Sequence, residues 1–97
     1  MVEICLVGEI VVRPAVSGEV DRITPMYEWL FAPPGGPPPR WDLGRAAQAL
    51  RRAVASDGAV VLVAILQGEF VGFCTAYEDM ESVRYGRRVW VEDLAVR

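Results

Sequence analysis

Three groups of side chains in this sequence have types and spacing suited to chemistry. The first is Glu92-Asp93, an acidic pair inside an otherwise apolar run from Trp90 to Val96. Carboxylates on such a segment serve as proton acceptors or as partners in salt bridges. In a regular strand the side-chain period is two, so the pair points to opposite faces. One of the two then faces any given cleft, unless a β-bulge intervenes. The second group is the acidic stretch Tyr77, Glu78, Asp79 and Glu81. It can attract a polyamine-like or aminoglycoside-like amine, or it is a solvated turn offset by Arg84, Arg87 and Arg88. The third is Trp29, Phe31 and Trp41, which flank a Pro/Gly-rich segment over residues 32–40. Aromatic faces there can hold an apolar or cationic group; the competing reading is helix-packing core.

Other chemistries are excluded. There are two cysteines, Cys5 and Cys74, in no CxxC pair, and there is no histidine. No metal site is therefore expected, and both cysteines read as small apolar filler in a reducing cytosol. The formal net charge is -3, which argues against nucleic acid as a partner. The start, MVEICLVGEI, has no basic stretch and is interrupted by Glu3 and Glu9, unlike a secretion signal. The longest apolar run, Ala59 to Leu66, has eight residues, against the roughly 20 that cross a bilayer. A cytoplasmic location and no membrane partner are expected.

The elements that must position these groups follow from periodicity. With 97 residues, 53% of them hydrophobic, the chain has room for one domain with a modest core. A strand ends at Arg13-Pro14, where proline's missing N–H does no harm. Residues 1–7 form either an extra leading strand or an ordered arm. Val20, Ile23, Tyr27, Leu30 and Phe31 mark one helical face. Pro25 interrupts it, giving either one kinked helix or a turn capped by Thr24 with a helix from about residue 25. Ala32 to Arg40 is a loop. Asp42 caps a second helix whose buried face carries Leu43, Ala46, Ala47, Leu50 and Val54. Ser56-Asp57-Gly58 ends it. Ala59 to Leu66 reads as a fully buried strand, Gln67-Gly68 as a tight hairpin turn, Glu69 to Tyr77 as the return strand, and Arg88 to Val96 as a third. The fold class is α+β, in the order β-α-α-β-β-β, with two helices on a mostly antiparallel sheet.

That order, with three local patterns, resembles the opening of the GNAT N-acetyltransferase fold. Ile10-Val11-Val12-Arg13-Pro14-Ala15 with Asp21 looks like the family's first strand and its lead into a helix. Gly68-Glu69-Phe70-Val71-Gly72-Phe73 looks like its hairpin. Trp90-Val91-Glu92-Asp93-Leu94-Ala95-Val96 looks like its fourth strand. The resemblance covers nearly the whole chain from Ile10 onward.

The resemblance implies transfer of an acetyl group from acetyl-CoA, as co-substrate, to an amine on a small molecule or peptide. It implies Glu92 as the base, acting through water, and the backbone of Leu94, Ala95 and Val96 as the contact for the thioester and the pantetheine arm. It implies Trp29, Phe31 and Trp41 as acceptor-site candidates; Tyr77, from the acidic stretch, is the fourth candidate for binding the amine. The family's strand is followed by a Gly-rich turn at a helix start that binds pyrophosphate. Residues 1–97 stop short of it, so they are expected to be a single partial domain, the N-terminal half, inactive without the rest. The last strand would leave an apolar edge. A C-terminal acetyltransferase fragment or a second copy of the chain, forming a dimer, is the expected partner there. The competing expectation is a non-catalytic α+β binding or dimerisation module.

Overall fold

The computed structural model of the chain describes residues 5–7, as backbone, and residues 9–97. Its strands form where β-branched residues concentrate. β1 (Cys5–Val7) and β2 (Ile10–Pro14) make a hairpin, so the leading segment is a strand over residues 5–7. β3 (Ala59–Leu66), β4 (Glu69–Glu78) and β5 (Val89–Val96) come after the helices. All five pair antiparallel in the order β1-β2-β3-β4-β5. The β3–β4 turn is Gln67-Gly68, with φ of 50° and 81°. Both values are positive, the conformation of a two-residue hairpin turn whose twist matches the strands it joins. Gly72 on β4 is needed for another reason: a Cβ there would lie 3.1 Å from the Ala95 carbonyl oxygen on β5.

Between β2 and β3 the chain packs its helices on one face of the sheet. A 3-10 turn (Ser17–Glu19), α1 (Val20–Ile23), a second 3-10 turn (Thr24–Met26) and α2 (Tyr27–Phe31) run into one another. This is the kinked helix rather than the capped turn. Thr24 has helical dihedrals, and its hydroxyl donates back to the Val20 carbonyl at 2.7 Å instead of capping the next helical turn. Pro25 sits at the start of the 3-10 turn, where its missing N–H leaves no hydrogen bond unmade.

α3 (Leu43–Ala55) begins at Asp42, whose carboxylate accepts the Gly44 and Arg45 amides at 2.9 and 3.3 Å. Leu50 is buried, and Ala47, Ala53 and Val54 pack against the core. Leu43, expected on that face, is 51% exposed, because the helix meets the core only from Ala47 onward.

The core lies between these helices and the sheet: Val20, Ile23, Met26, Tyr27, Val61, Val63 and Phe73. β3 is not buried on both faces as expected. Val61 and Val63 are buried while their neighbours are half-exposed, because helices cover one face only. On the other face Leu62, Ala64, Cys74, Leu94 and Val96 line a shallow, wholly apolar groove. Among the described residues no helix is long and apolar enough to cross a membrane.

Candidate functional site

The register of β4 against β5 builds the site. Thr75 lies opposite Asp93 and Ala76 opposite Val91, which leaves Glu92 without a partner. This is the β-bulge that the alternation rule left open. It cancels the opposition of the pair: Glu92 and Asp93 line the same cleft, of about 250 Å³, together with Tyr27, Trp41, Leu50 and Thr75.

Asp93 is the better held of the two. Its Oδ2 accepts the Tyr27 hydroxyl at 2.8 Å and the Thr75 hydroxyl at 3.3 Å. Tyr27 is 8% exposed and packed among rings, with centroids of Phe73, Trp41 and Phe31 at 4.7, 5.3 and 6.0 Å. Burial, and then the hydrogen bond to Asp93, push its hydroxyl well above the usual phenol range. Tyr27 therefore stays protonated and keeps donating. Glu92 is exposed at the cleft wall. Among the described residues neither carboxylate has an ion-pair partner.

The other sequence candidates are more scattered. Trp41 forms the cleft wall, and Phe31 meets it edge-on at 4.7 Å. Trp29 is half-buried against the core and does not line the cleft. Tyr77 is 43% exposed and lies outside it, in a separate depression with Asp57, Gly58 and Val89. Ala95 is buried in the core, while Leu94 and Val96 are exposed on the opposite sheet face. β5 is the last strand of the sheet. Two of the three carboxylates of the acidic stretch are engaged internally: Glu78 pairs with Arg87 at 2.5 Å, and Asp79 accepts Arg88 at 3.0 Å and the Trp90 indole at 2.9 Å.

Tyr27 and Thr75 escaped the reading from sequence. The available signal was a tyrosine on an otherwise apolar helix face, since a buried hydroxyl needs a partner.

No family model and no curated protein matches the sequence. Solved structures do. One is a possible acetyltransferase from Clostridium difficile, with a TM-score of 0.73 at 16% identity over 90% of this chain and 57% of that one. A second is a predicted acetyltransferase with acetyl-CoA from Clostridium acetobutylicum, with a TM-score of 0.74 at 11% identity, covering 91% and 60%. The fold is that of the GNAT acetyltransferases. An aminoglycoside acetyltransferase from an uncultured soil metagenomic sample shares it at 26% identity and a TM-score of 0.61, covering 90% and 57%. The chain thus spans rather more than half the length of these GNAT-fold structures and corresponds to their N-terminal half.

Proposed function

We propose that the chain is the acceptor-binding half of an amine N-acetyltransferase. One observation supports this above the others. Two carboxylates without a cation share a cleft on the strand whose sequence resembles the family's thioester-contacting strand. Such a cleft attracts a protonated amine, and the reaction needs that amine stripped of its proton.

The roles divide by geometry. Asp93, fixed by two hydroxyls, orients the amine. Glu92, exposed and held by no described hydrogen bond, takes its proton through water. The amine nitrogen then bonds to the acetyl carbon, the thioester C–S bond breaks, coenzyme A leaves as its thiolate, and the proton that the nitrogen sheds on becoming an amide passes to that sulfur. The backbone of Leu94, Ala95 and Val96, on the last strand of the sheet, is the contact for the thioester and pantetheine. The pyrophosphate contact is not among residues 1–97.

The test is to titrate these residues, together with a C-terminal segment that carries the Gly-rich turn, with acetyl-CoA in the presence of a simple alkylamine. Thermal stabilisation and an acetylated amine in the mass spectrum are the expected result. No binding and no product, in protein that also carries a Gly-rich turn, would remove the reading.

A second reading is favoured by one surface. Val89, Val91, Leu94 and Val96 on β5 are 58–71% exposed, an apolar strand with no described neighbour on its outer side. Exposed apolar edges pair with other chains. A C-terminal acetyltransferase segment there completes an enzyme; a second copy gives a dimerisation module without catalysis. A dimer by light scattering that ignores acetyl-CoA would favour the module.

A further inference from the structure

The carboxylate cleft does not end at Trp41. A second groove, of about 330 Å³, adjoins it and shares that side chain as a wall. The two share Trp41, Ala46 and Ala49 as walls. Their helix contacts are offset by one turn: Ala46, Ala49, Leu50 and Ala53 in the first, Asp42, Arg45, Ala46 and Ala49 in the second. Each contact in the first lies four residues after its counterpart, so the two halves are displaced by roughly 6 Å along α3.

The two halves carry opposite charge. Glu92 and Asp93 line one. Arg40 and Arg45 line the other, and among the described residues neither arginine has a salt bridge. The carboxylate beside them, Asp42, is turned to the α3 amides. Between the ends the lining is Trp41 and the methyl groups of Ala46 and Ala49.

We infer that the acceptor is an amine whose far end is anionic. Its ammonium lies at Glu92 and Asp93, a short apolar chain passes Trp41, and a carboxylate or similar anion meets Arg40 and Arg45. This rests on the reading of the Glu92–Asp93 end as the amine end, and it adds what that reading leaves open, the class of amine. A guanidinium pairs with a carboxylate through two parallel N–H bonds. A dication of the same length meets like charge at the arginine end instead.

The experiment titrates the full chain at low ionic strength with three probes: 6-aminohexanoate, whose extended chain is of the order of one helical turn, hexylamine and hexanoate. The wild type is expected to bind 6-aminohexanoate about tenfold or more tighter than either single-ended probe, because both charged ends then contribute. The double variant Arg40→Ala/Arg45→Ala changes two exposed side chains. It should lose that preference and keep its affinity for hexylamine. Equal or tighter binding of hexylamine by the wild type overturns the inference, as does a preference that survives in the variant or no binding of any probe. The acetyl-CoA titration is read separately. A preference for 6-aminohexanoate without an acetyl-CoA response in protein that carries the Gly-rich turn removes the transfer reading and leaves this binding site. An acetyl-CoA response with preference for hexylamine does the reverse.

Discussion

The molecule holds carboxylates in two opposite ways. At the start of the helical segment, Glu19 is closed in a pair with Arg13, two guanidinium nitrogens reaching its two oxygens at 2.8 and 2.5 Å, while the Val16 amide adds a third bond at 2.9 Å. At the cleft, Asp93 is held by two neutral hydroxyls and Glu92 by no described hydrogen bond. The first arrangement cancels charge and ties β2 to the start of the helical segment. The second orients a carboxylate and leaves its charge for something from outside. The difference separates a charge that serves the fold from one available for recognition, although both are plain acidic residues in the sequence.

That contrast can be broken at either end. The largest effect on stability is expected at the closed pair. Glu19→Gln should cost roughly 1.5–3 kcal/mol, the range for charge-assisted hydrogen bonds, and lower the melting temperature by several degrees in a domain of this size. Amine binding should not change. The pH dependence has a definite sign. The Arg13 hydrogen bond, with help from the Val16 amide, draws the Glu19 carboxyl down from 4.5 to about 2. The unfolded chain therefore binds this proton more readily than the folded one. The contribution is complete above pH 4.5 and is lost as pH falls toward 2. Melting curves across that window should show a slope in the wild type that is shallower in Glu19→Gln. Equal slopes would mean the pair contributes nothing.

A smaller effect is expected at the cleft. Tyr27→Phe keeps the ring packing and removes the hydroxyl that holds Asp93. We expect a loss of roughly 1.5–2 kcal/mol in stability, the lower part of the range for a hydrogen bond to a charged group, measured by urea unfolding. A several-fold weaker affinity for amines should accompany it, since Asp93 keeps only Thr75. Unchanged amine affinity would show that Tyr27 serves the core alone.

Much of this was legible beforehand, for identifiable reasons. β3 matched its expected bounds because Ala59–Leu66 is an unbroken apolar run between Gly58 and Gln67-Gly68. Asp42 was readable as a cap because it precedes a strongly periodic segment. Thr24 left two readings open because a hydroxyl before proline has two local partners, the amides ahead or the carbonyl four residues behind, and composition does not choose between them. The bulge at Glu92 was hidden for a different reason. It is a property of how two strands pair, and neither strand alone records it. Trp41 was legible as an aromatic beside the loop, but its place between two oppositely charged grooves depends on how α3 lies against the sheet.

Glu92 and Asp93 together should receive a cation. The most direct measurement compares hexylamine with hexan-1-ol by calorimetric titration near neutral pH, in the wild type and in Glu92→Gln/Asp93→Asn. The wild type should prefer the amine by about tenfold or more, and the variant should bind the two probes alike. An alcohol bound as tightly as the amine by the wild type, or a preference untouched in the variant, would contradict it.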